Sequence, residues 1–178
     1  MLLDLSKIRA PHVSFDETYA PERVPGGEDQ YRIVEPVRLH LDIAKTGERF
    51  RLTGRAETVL ELSCSRCLEP FTSPVDASFD LVYHPMAANV GEGEREVEDE
   101  DLSTAFYDDQ QIDLGQLMRE QFYLSLPMKP LCADDCRGLC PVCGTNLNRA
   151  TCQCDPDWKD PRLAALKALT VRPTTKEP

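Results

Sequence analysis

Eight cysteines set out as close pairs constrain this 178-residue chain more than any other feature of it. They stand at Cys64, Cys67, Cys132, Cys136, Cys140, Cys143, Cys152 and Cys154, with the members of each pair two to four positions apart. Tetrahedral thiolate coordination takes two ligands from one tight turn and two from another, which matches this pattern. Disulfides gain most by closing long loops, so close pairs suit them poorly. Metal binding is therefore the expected use of the cysteines, and the segments that carry them must converge in space.

The sharpest local motif is Cys140-Pro-Val-Cys143-Gly144, followed by Cys152-Gln-Cys154. The first cysteine of such a knuckle accepts backbone N–H bonds from the turn after it, and Gly144 supplies the positive φ that brings the chain round. Asn146 and Asn148 are turn formers in the eight-residue return from Cys143 to Cys152. Cys140, Cys143, Cys152 and Cys154 are expected to form one site. Cys64-Ser-Arg-Cys67 and Cys132-Ala-Asp-Asp-Cys136 remain for a second, which would join segments 64 residues apart. This partition keeps each near pair intact. Cys136 and Cys140, also four apart, are where it would fail. Zinc is the expected ion at both sites, two Zn2+ in all, with iron the chemical alternative. Neither set leaves a vacant ligand position, so both read as structural. Thiol exchange is the competing use of Cys64-Ser-Arg-Cys67, but no helix follows it to depress a thiol pKa.

The balance of 20 Lys+Arg against 31 Asp+Glu, formally −11, argues against binding nucleic acid through bulk charge. That charge is uneven. Residues 91–109 carry nine acids and one base, and the run 91–101 reads as a solvated loop or an acidic lure for a basic partner. Residues 129–178 hold eight bases and six acids. No apolar run approaches the roughly 18 residues that span a bilayer, and Met1–Arg9 lacks a signal-peptide core. A soluble, cytoplasmic protein with no membrane association is expected.

Residues 1–30 contain Pro11, Pro21, Pro25 and Gly26-Gly27 as breakers and are expected to be loosely structured. Alternation then takes over. Val37, Leu39, Leu41 and Ile43 point one way, Phe50 and Leu52 follow a turn at Thr46-Gly47-Glu48, and Val75, Ala77, Phe79, Leu81 and Tyr83 alternate again. Gly54 reads as a bend or bulge. The expected class is α+β: an antiparallel β-meander or partly open barrel at 31–128, with an acidic loop at 91–109. A helix at 113–126 is capped by Asp113 and lined by Leu114, Leu117, Met118 and Phe122. Segment 129–178 is expected to be zinc-ribbon-like, with a second short helix at 160–170 carrying Leu163, Leu166 and Leu169.

Evidence for an enzyme is thin. His12, His40 and His84 lie apart and match no nucleophile or metal motif, and the chain lacks a phosphate-binding glycine loop. No catalytic residue and no small-molecule substrate is expected.

Several stretches together resemble the bacterial and plastid YceD family. They are Cys-Ser-Arg-Cys-Leu-Glu-Pro-Phe (64–71), Ile-Asp-Leu (112–114), Arg-Glu-Gln (119–121) and Leu-Pro-Met-Lys-Pro-Leu-Cys (126–132), with Gly-Leu-Cys-Pro-Val-Cys-Gly-Thr-Asn-Leu-Asn (138–148) and Asp-Pro-Arg-Leu-Ala-Ala-Leu (160–166). The resemblance covers most of 31–170, and the acidic run at 91–101 lies outside the shared motifs. It implies a non-enzymatic role in accumulation of 23S ribosomal RNA and large-subunit biogenesis. Ribosomal RNA, a large-subunit ribosomal protein, or both are the implied partners. Candidate contacts are Arg66 on the first knuckle and Lys129, Arg137, Arg149 and Lys159 around the Cys-rich segment, against ordinary solvated charge as the alternative. The second functional reading is an adaptor that holds a basic ribosomal protein on its acidic surface.

Overall fold

Strict alternation of apolar and polar side chains makes strands with one dry and one wet face. The computed structural model describes residues 1–27, 30–86 and 103–154. The strands are β1 (Leu2–Asp4), β2 (His12–Tyr19), β3 (Tyr31–Ile33), β4 (Val37–Thr46), β5 (Arg49–Ser63), β6 (Pro70–Pro85), β7 (Thr104–Tyr107) and β8 (Gln111–Asp113), followed by helix α1 (Leu114–Ser125). Six strands form one sheet in the order β2-β4-β5-β6-β7, with β3 pairing the far end of β5, while β1 and β8 form a separate ribbon. The sheet is open, with β2 and β7 at opposite ends and unpaired with each other, so the barrel alternative is not formed.

β4, β5 and β6 are the expected antiparallel meander, joined at one end by Gly47 with φ 63°. Their dry face buries Val37, Leu39, Leu41, Ile43, Phe50, Leu52, Leu60 and Phe79. α1 contributes Leu114, Leu117, Met118 and Phe122 to the same core. The wet face carries cross-strand pairs: Arg38–Glu57 at 3.0 Å, Arg32–Glu61 at 2.7 Å, Arg51–Asp80 and Arg55–Asp76. His40 stands on this face between Asp16 (2.7 Å) and Asp42 (3.2 Å). The hydrogen bond it donates to the Asp16 carboxylate raises its pKa above the usual histidine value.

Four expectations are corrected. Residues 1–30 are not loose throughout: β2 pairs with β4 over its whole length, from His12↔Ala44 to Tyr19↔Val37. The prolines and glycines of this region flank β2 rather than interrupt it. Gly54 makes no bulge, because the ladder runs unbroken through Leu41↔Gly54 and Gly54↔Phe79. A Cβ there would stand 2.6 Å from the His40 carbonyl and from the Phe79 ring, so the glycine allows a close approach instead. The acidic loop does not reach residue 109, because Thr104–Tyr107 is β7. Finally, β7 runs parallel to β6, not antiparallel. A parallel pair cannot be joined by a tight turn, and 18 residues separate Pro85 from Thr104 in the sequence. Tyr107 anchors the new strand by donating to the Glu48 carbonyl at 3.0 Å and by an edge contact with Phe50. The acidic run at 91–101 and the expected helix at 160–170 lie outside the described residues.

Candidate metal centres

The hairpin between β5 and β6 carries the first cysteine pair, and the backbone folds it tightly. Leu68 N–H donates to Cys64 O at 2.9 Å, Cys64 N–H donates to Glu69 O at 2.9 Å, and Arg66 N–H points at Cys64 Sγ at 3.5 Å. The same pattern recurs at the third pair. Gly144 N–H donates to Cys140 O at 2.9 Å, Cys140 N–H to Thr145 O at 2.8 Å, and Val142 N–H to Cys140 Sγ at 3.4 Å. Each turn is completed by a residue in the left-handed region, Leu68 at φ 61° and Gly144 at φ 72°. The chain thus holds two copies of one knuckle. A leucine in the position that glycine fills in the other hides the repeat from the sequence.

Beyond α1, Pro130 leads the chain back to the first knuckle, where its carbonyl accepts Ser65 N–H at 2.8 Å. That delivers Cys132 and Cys136, held in a tight turn by Cys136 N–H to Ala133 O at 3.1 Å. Two groups result: Cys64, Cys67, Cys132 and Cys136, and Cys140, Cys143, Cys152 and Cys154, with the four sulfurs of each within 4.8 Å of one another. The sulfurs of Cys64 and Cys136, and of Cys67 and Cys132, are 3.7 Å apart. A tetrahedron with metal–sulfur bonds of about 2.3 Å has edges of about 3.8 Å, so this spacing suits a shared ion. All eight cysteines are free thiols. The first set is the more enclosed, with Cys64, Cys67 and Cys136 buried and packed on Phe71 and Leu131. In the second set only Cys140 is fully buried and Cys143 is exposed.

The electrostatics of the two sets are alike. Burial pushes the Cys64 thiol up, but backbone N–H groups of Cys67, Cys132 and Arg66 outweigh it and draw it down to about 6. Its neighbour Cys132, facing the Cys136 sulfur and partly desolvated, is pushed up to about 12. In the other set the hydroxyl and N–H of Thr145 bring Cys143 to about 6. The Cys143 sulfur and burial push Cys154 up to about 12. Cys140 is lowered too, by the backbone N–H groups of Cys143 and Val142. The first group thus favours one thiolate and the second two, and each resists the rest, the behaviour of crowded like charges. A divalent cation held by the four sulfurs would supply the opposing charge that lets all four ionise.

The basic candidates are placed unevenly. Arg66 turns inward, its Nη1 donating to the carbonyls of Asp134 (3.2 Å) and Cys136 (2.8 Å), so it braces the turn that carries Cys132 and Cys136. Arg149 pairs with Glu69 of the first knuckle at 2.9 Å. Lys129 and Arg137 are exposed, and their side chains make no ion pair among the described residues. Lys159 lies outside the described residues. Asn148, a turn former by sequence, donates from Nδ2 to Cys136 Sγ at 3.2 Å, a role that no spacing signals. None of the three histidines joins either thiol group. Among the described residues no helix is long and apolar enough to cross a membrane.

Comparison with known proteins places these groups in a family context. A Zea mays protein named large ribosomal RNA subunit accumulation protein YCED homolog 1, chloroplastic, is 31% identical over 144 residues, covering 68% of this chain and 49% of its own length. The Arabidopsis thaliana protein of the same name is 28% identical over 195 residues, covering 98% of this chain and 59% of its own length. The chain thus spans about half to three fifths of the plant relatives it matches. Bacillus subtilis YlbN, an uncharacterised protein, is 27% identical over 160 residues, covering 87% of this chain and 86% of its own. No solved structure matches. Residues 52–170, which include both thiol groups, match the family described as large ribosomal RNA subunit accumulation protein YceD, and the chain belongs to that family.

Proposed function

We propose that this chain is a non-enzymatic, zinc-binding factor that supports accumulation of 23S ribosomal RNA, and so biogenesis of the large ribosomal subunit, in the cytoplasm. The observation that carries this reading is the family match over 52–170, read with the names of the plant relatives. Two structural zinc ions would hold the zinc-ribbon-like tail: one in Cys64, Cys67, Cys132 and Cys136, and one in Cys140, Cys143, Cys152 and Cys154. Sets of four clustered thiols suit zinc and leave no ligand position open for chemistry. The expected contact with the assembling subunit is the rim of this tail, where Lys129 and Arg137 are exposed and unpaired among the described residues. Arg66 and Arg149 support that rim through the bonds they already make.

Crosslinking in cells, with identification of the attached molecule, tests the proposal. The predicted outcome is large-subunit ribosomal RNA, lost on the double change Lys129→Glu and Arg137→Glu and weakened steeply by salt. A crosslink to a basic ribosomal protein that survives both changes and disappears on deletion of 91–101 would support the adaptor reading instead.

A further inference from the structure

One side chain joins the two thiol groups. Asn148 belongs to the loop between Cys143 and Cys152, which closes when the outer group assembles, yet its Nδ2 donates to the inner Cys136 Sγ at 3.2 Å. Its Oδ1 accepts Arg137 N–H at 2.7 Å, one residue beyond that same cysteine. The loop that presents it is tightly held: Asn148 N–H donates to Asn146 Oδ1 at 2.9 Å, Leu147 N–H to Gly138 O at 2.9 Å, and Leu139 bridges Asn146. The linker between the groups also touches the first knuckle, with Leu139 N–H on Arg66 O at 3.1 Å. At Gly138 (φ 73°) a Cβ would stand 3.0 Å from that same carbonyl, so the approach is close.

A hydrogen bond donated to a metal-bound thiolate stabilises its charge and fixes its direction. Asn148 gives that bond from a loop whose two ends carry the outer cysteines, so assembly of the outer group adds to the hydrogen bonds that already hold the loop in place. We infer that Asn148 couples the two proposed metal sites: an ion in the outer group seats the Asn148 amide on Cys136, so binding at one site strengthens binding at the other. This rests on the metal reading above. Thermodynamic linkage makes the effect reciprocal, each ion raising the affinity for the other by the same factor.

The test is metal titration of the full chain with zinc and with cobalt(II), whose thiolate complexes absorb visibly, against a competing chelator. Wild type should bind two ions cooperatively. Asn148→Ala and Asn148→Asp keep all eight thiols and should still bind two, with inner-site affinity lower by about 10- to 100-fold. The Asp variant retains the oxygen that accepts Arg137 N–H, which separates loss of the sulfur contact from loss of the loop. Cys143→Ser should weaken the inner site by a similar factor, and adding Asn148→Ala to it should cost little more. Asn148 variants that bind both ions within about twofold of wild type would overturn the coupling and leave the metal reading intact. A wild-type chain that takes up neither ion would overturn both.

Discussion

Gly54 lies at the middle of β5, with Leu41 of β4 on one side and Phe79 of β6 on the other. A methyl group there meets a backbone carbonyl that cannot rotate away and a ring already in the core, each at 2.6 Å. Gly54→Ala should therefore destabilise the sheet by about 1–3 kcal/mol, read as a lower urea midpoint with little change in slope. Leu68 presents the opposite case. It holds the left-handed φ of 61° that its counterpart Gly144 adopts freely, a conformation that costs a leucine about 1–2 kcal/mol. The Leu68 N–H to Cys64 O bond, which closes the knuckle, accompanies that strain. Single positions of this kind are poorly legible from sequence. A glycine in a strand looks like a bulge, and a leucine after a cysteine gives no sign of a left-handed backbone, until the partner strands and hydrogen bonds are known.

At the scale of elements, α1 depends on the residue that caps it. Asp113 accepts N–H bonds from Gly115 at 2.8 Å and Gln116 at 3.3 Å. Burial pushes its carboxyl up, but those two donors and the chain's terminal ammonium outweigh it and hold it below the usual carboxylate value of 3.8. A pKa lowered on folding gives stability that is present above the unfolded value and is lost as pH falls through the folded one. Asp113→Ala should thus cost about 1 kcal/mol at neutral pH, and the difference from wild type should shrink as pH drops below the ordinary carboxylate range. Urea unfolding at neutral and acidic pH measures both effects. The strands of the meander and α1 were legible because their apolar residues repeat with periods of two and three to four. β2 was obscured by the breakers on either side of it. The Thr104-Ala-Phe-Tyr107 segment has no alternation to mark it, and its parallel pairing with β6 is a partnership that spacing does not signal.

The whole molecule divides its stability between two systems. The sheet and α1 share one apolar core, whereas the inner thiol group forms a separate small cluster with Phe71 and Leu131. Residues 129–154 contain no helix or long strand, and turns, the Leu139–Asn146 bridge and the thiol groups hold them. Structural zinc contributes roughly 10–16 kcal/mol in small zinc peptides, enough to order such a tail. Chelation should therefore expose 129–154 to limited proteolysis while the far-ultraviolet signature of the sheet persists. The cysteines gather in space in two sets of four that keep each near pair together, as their spacing in the sequence suggests. The cross-bracing by Arg66, Arg149 and Asn148 was not legible there, since it depends on which side chain reaches from one loop to the next. The net charge of −11 describes the tail badly: its described part pairs Arg149 with Glu69 and leaves Lys129 and Arg137 exposed.

The central claim is that two four-thiolate metal sites organise this tail, one fastening it to the β5–β6 hairpin and the other closing it on itself. Native mass spectrometry of the full chain, purified without chelator and paired with elemental analysis, tests it most directly. Two zinc ions per chain are predicted, with fewer retained in Cys140→Ser. A metal-free chain whose mass has fallen through disulfide formation would contradict the claim, as would a Cys140→Ser variant that keeps both ions.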